Sequence, residues 1–288
     1  MNSLAIALAF AAAVFLGAAL VLTQFGLRYV APLPGAAMSI PSFTLAFICA
    51  APFLLHGETI VWSAVPIFAA VGLVFPAVLT LLTFEGNRLL GPVITGALGN
   101  LSPLFAVALA VVLLGEPLRA LQFLGLVVIV AGVVIITVTR PQDVRNWRSW
   151  TLLLPLGAAV LRGLMQPTIK LGLELWPSPI AAGLTGYIVS ALVVLVFARL
   201  KTGRFIADAP ARGRLWFVGV GMCNGVGVLL MYAALGNGPV SLVAPLVATY
   251  PLMTVGLSAL LLGNIEGAAR LATGTALTVF GVVMLLVG

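Results

Sequence analysis

Apolar residues in this chain come in long unbroken runs. Ten such runs, at Leu4 to Phe25, Ala36 to Leu55, Ala64 to Phe84, Pro92 to Leu114, Leu118 to Val138, Trp150 to Leu171, Ile180 to Ala198, Leu215 to Leu235, Val240 to Leu262 and Ala268 to Val287, alternate with short polar connections. About twenty residues at a helical rise of about 1.5 Å each span the roughly 30 Å hydrocarbon core of a bilayer. In hydrocarbon every backbone polar group needs a partner within the protein, and a helix supplies it locally. The expected fold is an all-α integral membrane protein of ten transmembrane helices. The first run lacks the basic leader of a signal peptide and is long for its apolar segment, so it reads as a retained helix. Trp62, Trp147, Trp150, Trp176 and Trp216 all fall at or beside run ends, where indole rings anchor at the headgroups.

Charge orients the bundle. The connections after runs 1, 3, 5, 7 and 9 carry eleven basic residues (Arg28, Arg88, Arg140, Arg145, Arg148, Arg199, Lys201, Arg204, Arg212, Arg214 and Arg270), against Arg119 and Lys170 on the other side. The positive-inside rule puts the eleven in the cytoplasm and both termini outside. A composition 62% hydrophobic and 7% charged leaves no room for a large soluble domain, and the net charge of +7 sits in connections rather than in a nucleic-acid-binding patch. Cys49 and Cys223 lie in apolar runs and His56 in a connection, a spacing that forms neither a metal site nor a disulfide framework. With no P-loop, HExxH or GxSxG, the chain reads as neither an enzyme nor a cofactor protein.

The sequence also compares with itself at a shift of about 148 residues. Gly91-Pro92-Val93 corresponds to Gly238-Pro239-Val240, Pro103 to Pro251, Leu113-Leu114-Gly115 to Leu261-Leu262-Gly263, and Gly125 and Gly132 to Gly274 and Gly281. Two five-helix repeats follow, residues 1–140 and 141–288. Five is odd, so the second repeat enters the membrane inverted, an arrangement whose sites lie near the midplane between repeats. At Gly91-Pro92-Val93 and Leu113-Leu114-Gly115-Glu116-Pro117 the chain resembles the drug/metabolite transporter superfamily, specifically its ten-helix EamA-type exporters. The second repeat has Asn264 in place of the Glu, and Pro41 and Ser42 occupy the region where many members carry an Arg. The resemblance implies export of amino acids and other small metabolites, with sugar-phosphate and nucleotide-sugar antiporters as more distant relatives. Relatives are often drawn with both termini in the cytosol, opposite to the charge count.

Candidate chemistry starts at Arg162, the one ionised residue near the middle of a run. An Arg at that depth costs about 2.5–3.5 kcal/mol on insertion scales, so it faces protein or water. Gln166 and Lys170 follow at four-residue steps on one helix face. That face reads either as a cationic strip for a substrate carboxylate or as a structural one, in which Arg162 satisfies carbonyls freed by Pro155 or Pro167 and Lys170 pairs with Glu174. Pro103, Pro245 and Pro251 interrupt equivalent runs beside Asn100, Ser102, Thr249 and Tyr250, and irregular backbone at this depth survives only where protein or a wet cavity satisfies it. Asn224, Tyr187 and Phe75 lie at similar depth. Glu116 reads as the acid at the start of the fifth helix, after a helix-stopping Gly115. Gly221 with Gly225, and the four glycines of runs 5 and 10, read as close-packing positions.

Together these features predict a transporter of the bacterial inner membrane that exports small amphipathic metabolites by alternating access, without a proton-coupling residue. Amino acids lead, with the aromatic amino-acid exporters as the nearest comparison. Its partners are the small-molecule substrate and the lipid bilayer, with no nucleic acid and an oligomeric state left open. An antiporter of phosphorylated metabolites, a channel and a non-transporting scaffold are the alternatives. A bacterial source follows from Arg outnumbering Lys twelve to two.

Overall fold

The computed structural model describes residues 3–80, 82, 83, 89, 98–137, 149–206, 208–253, 256, 257 and 268–288. Glu85, Arg88, Gly91 to Val93, Arg140, Asp143, Arg145, Trp147, Arg148, Leu261 to Asn264 and Glu266 lie outside the described residues, as does the boundary between residues 140 and 141. Among the described residues ten α-helices follow in order: α1 (Ser3–Gly26), α2 (Pro32–Leu54), α3 (Val65–Leu73), α4 (Ser102–Leu114), α5 (Ala120–Thr137), α6 (Leu153–Leu175), α7 (Pro179–Thr202), α8 (Ala211–Asn237), α9 (Val240–Val247) and α10 (Ala268–Val287). The described residues contain no strand.

Local chemistry sets several ends. Pro32 and Pro179 open α2 and α7, where a missing N–H costs nothing, and Ser178 Oγ accepts the Ala181 N–H at 3.2 Å. Gly115 and Gly203 end α4 and α7 at φ 66° and 75°, which a side chain would oppose.

Helix packing carries the repeat into three dimensions. α1 packs on α8 as α3 does on α6; α4 on α6 as α1 on α9; α2 on α8 as α3 on α7. α2 meets its own counterpart α7, α4 meets α9, and α5 meets α10. Exchanging the halves maps this set of pairs onto itself, as a two-fold between inverted repeats requires. Gly72 and Gly221 are equivalent residues at equivalent crossings. A Cβ on Gly221 would run into the Ser39 carbonyl, and one on Gly72 would lie 2.5 Å from the Gly186 carbonyl oxygen. The α5–α10 pair is as close, with Gly125 and Gly281 each facing the other's carbonyl.

Among the described residues, three of the expected spans are broken rather than continuous. α4 starts only at Ser102, after a turn at Asn100 and Leu101, and α9 stops at Val247 before a turn at Ala248 and Thr249, with helix resuming over Tyr250 to Met253. At the repeat shift these turns coincide. Pro103 and Pro251, which lack an N–H, follow each by the same step. Span 3 continues from α3 as a π-helical turn, Val74–Val78, with Phe75 at φ −120° and ψ 125°. Ser190 on α7 bridges that break: its Oγ donates to Gly72 O at 2.9 Å and accepts from Ala77 N at 3.2 Å.

The tryptophan expectation needs one correction. Trp62 and Trp150 are exposed and Trp216 stacks on Phe25 at 5.1 Å, but Trp176 is only 8% exposed and belongs to the main core. Its indole is packing rather than an anchor.

Candidate functional site

The two repeats enclose a cavity of about 240 Å³, just under the roughly 300–1,000 Å³ usual for small-ligand sites. Its lining comes from the later half of α1 (Leu16 to Thr23), the start of α2 (Ala36 to Ile40), the π-turn and the turns after it (Phe75 to Thr83), Ser102, the middle of α6 (Arg162 to Gln166), α8 from Phe217 to Met231 and the broken end of α9. Most of these segments lie toward the side where α1 ends and α8 begins, the side of the Arg199 to Arg214 connection. At the other side the bundle is solid: Ala5, Ala9, Ala12, Leu235, Val240 and Val243 are all completely buried.

Six of the nine expected site residues meet in this cavity: Phe75, Ser102, Arg162, Gln166, Asn224 and Tyr250. The helix breaks explain the meeting, because the non-helical backbone at Phe75 and the turn before Tyr250 release both side chains from regular spacing. Arg162 is half-buried and its Nη1 donates to the Tyr250 hydroxyl at 3.4 Å. No Asp or Glu lines the cavity among the described residues. Apolar side chains such as Leu16, Leu20, Ile40, Met165 and Val247 form most of the wall.

The other three lie behind it. Tyr187 is buried, packs edge-on against Phe43 with ring centroids 4.8 Å apart, and accepts from Asn224 Nδ2 at 3.5 Å, so it orients a lining residue. Thr249 is buried and donates to Leu246 O at 2.7 Å. Asn100 is buried at the α4 break and is not part of the lining. Sequence reasoning passed over Thr23, Ser39, Thr80 and Thr83, which do line the cavity. Each donates to a carbonyl three or four residues back in its own helix. An isolated hydroxyl in an apolar run looks the same whether it faces a neighbour or a cavity, so no signal distinguished them.

Two expected roles change. Lys170 neither joins Arg162 in the cavity nor pairs with Glu174: its Nζ donates to Leu235 O at 2.8 Å and Gly238 O at 3.2 Å, satisfying carbonyls at the C-terminal end of α8. Glu116 does not cap the helix that follows it. Its two carboxylate oxygens accept from Val240 N at 2.7 Å and Ser241 N at 2.8 Å, the first amides of α9 in the other repeat. Together they grip the Asn237-Gly238-Pro239 turn from both helix ends, on the sealed side of the bundle. The glycine expectation holds for Gly221 and Gly225, which abut Ser39 and Phe43 of α2.

Comparison with known proteins agrees with this architecture. One solved crystal structure superposes with a TM-score of 0.84 at 18% identity, covering 99% of this chain and 97% of the other, and so shares its fold. None of the curated proteins matches in sequence. The EamA-like transporter family matches twice, over residues 3–138 and 149–287, one match to each five-helix repeat. With both halves matched and the repeats packed about a shared central cavity, the chain belongs to the EamA-like transporter family and is a membrane transporter.

Proposed function

We propose that the protein exports small amphipathic metabolites, amino acids foremost, across the bacterial inner membrane by alternating access. The observation that carries this reading is Arg162, the one guanidinium among the described lining residues, half-buried in a cavity whose walls are otherwise apolar, hydroxylic or amide and hold no described carboxylate. One fixed cation suits one carboxylate, whereas a phosphate dianion favours several donors of the Arg type. The apolar wall suits a hydrophobic or aromatic side chain, in keeping with the aromatic amino-acid exporters of the family.

Alternating access is favoured over a channel because the cavity is sealed at one end by buried side chains rather than continuing across the bundle. The charge count puts that sealed end outside with both termini, so that the cavity faces the cytoplasm, the loading side of an exporter. Transport is facilitative in this reading, since no described acid lines the cavity to carry a proton. The test is counterflow into proteoliposomes preloaded with amino acids, sugar phosphates or nucleobases. Exchange of amino acids with their own class supports the reading; exchange driven only by phosphorylated compounds, or a sustained single-channel current, overturns it.

A further inference from the structure

Gln166 stands one helical turn from Arg162 on the cavity face of α6. Its side chain is 6% exposed, and Oε1 is a buried oxygen with no hydrogen-bond partner among the described residues. A buried acceptor left unmade is costly, and native proteins keep one mainly where something else fills it. The threonines that share the cavity lining do not: Thr23, Thr80 and Thr83 all direct their protons to carbonyls of their own helices. The threonines of the lining therefore present acceptor oxygens to the cavity rather than free donors. A carboxylate alone would satisfy Arg162 and leave Gln166 orphaned.

We propose that Gln166 Oε1 accepts a hydrogen bond from the substrate's α-ammonium group while Arg162 takes the α-carboxylate, so that the site selects zwitterionic α-amino acids over acids of the same skeleton without the amine. The proposal rests on the reading of this cavity as an amino-acid site. Residues four apart on a helix are separated by about 6 Å along the axis, a span that a carboxylate and an ammonium on one carbon bridge with a hydrogen bond of about 2.9 Å at each end. Sites built to bond a donor reject analogues lacking it far more strongly than sites that only measure size.

The experiment compares uptake of L-phenylalanine, 3-phenyllactate and phenethylamine by counterflow in proteoliposomes of the full chain, wild type and Gln166→Met. Wild type should prefer phenylalanine to phenyllactate by roughly 10- to 100-fold, the loss expected when a buried polar group goes unpaired. Gln166→Met has similar bulk and no amide acceptor, and should bring that ratio close to one. Its melting temperature should equal or exceed wild type, because exchanging an orphaned polar group for an apolar one of like shape is neutral or stabilising. A ratio near one in wild type overturns the proposal while leaving the carboxylate site intact. A Gln166→Met that keeps the wild-type ratio, or that melts well below wild type, overturns it too, the latter by showing Gln166 to be structural. If wild type moves none of the three compounds, nor leucine, the amino-acid reading itself falls and takes this inference with it.

Discussion

Glu116→Gln removes the charge and one of the two carboxylate acceptors that hold the start of α9. Both bonds are short, at 2.7 and 2.8 Å, and each acceptor faces a backbone N–H that has no partner within its own helix. A hydrogen bond to a charged group contributes about 1.5–3 kcal/mol, and a charge at a helix N-terminus about 0.3–1 kcal/mol. Glu116 is only half-buried, so water competes and the low ends apply, giving about 1.5–2 kcal/mol on neutralisation. At about 1.4 kcal/mol per tenfold, that moves an equilibrium between sealed and open ends by roughly 10- to 30-fold. Accessibility reads this directly. With Cys49 and Cys223 replaced by serine, Val243→Cys places a thiol at a fully buried position of the sealed end. A membrane-impermeant maleimide should alkylate it roughly 10- to 30-fold faster in the Glu116→Gln background. Lys170→Met should act in the same direction. The double variant should fall short of additivity, because both side chains hold one turn. An alkylation rate unchanged within about twofold, with the fold intact, would refute a gating role. A lower melting temperature without faster labelling would make Glu116 a helix cap and nothing more.

Further expectations follow from the same geometry. Arg162→Gln should lower amino-acid counterflow at least about tenfold while changing stability by less than about 1 kcal/mol, since its one described bond, to Tyr250, is long at 3.4 Å; parallel loss of folding and transport would mark it as structural. Gly221→Ala should cost about 1–3 kcal/mol in thermal unfolding, because the new methyl meets the Ser39 carbonyl. Gly219→Ala, whose Cβ would sit an ordinary 3.6 Å from Leu22, is the control, and equal effects at the two sites would contradict the packing. A reporter active only in the cytoplasm should be silent when fused after Gly288, and activity there would reverse the orientation. Substrate should reach the same final level in proteoliposomes with or without a pH gradient; accumulation abolished by a protonophore would reveal a coupling acid.

The ten spans, the two repeats and six of the cavity's residues were legible in the sequence because each has a local signature: run length, a recurring Gly-Pro pattern, a lone charge, a proline beside polar side chains, or, for Asn224 and Phe75, depth within a run. What escaped are properties that join distant segments. Glu116 sits 124 residues from the amide it holds, and Lys170 is 65 residues from its first carbonyl. Nothing within a helical turn of either indicates such a partner, so the nearest local explanation, a cap or an i+4 pair, came first and was wrong. Trp176 misled in the same way, as an indole at a run end that the fold turns inward.

The repeat makes these long-range contacts informative, because an inverted duplication supplies two equivalent ends and only differences between the halves can favour one of them. At the repeat shift Glu116 corresponds to Asn264, a neutral residue, and Lys170 falls opposite the apolar Leu22. Neither counterpart has the charge with which Glu116 and Lys170 hold the Gly238 turn. The carboxylate and ammonium therefore act at one end alone, and it is the end the structure closes, while the cavity lies toward the end whose counterparts are uncharged. If the protein works as the exporter proposed above, loading from the cytoplasm, such an asymmetry would hold the empty carrier in its loading state until binding energy in the cavity offsets the clamp. Adding an acid at Asn264 should oppose that bias. In the Val243→Cys assay, Asn264→Glu is expected to speed labelling in the same direction as Glu116→Gln, and slower labelling would show that the preference for one end lies elsewhere in the packing.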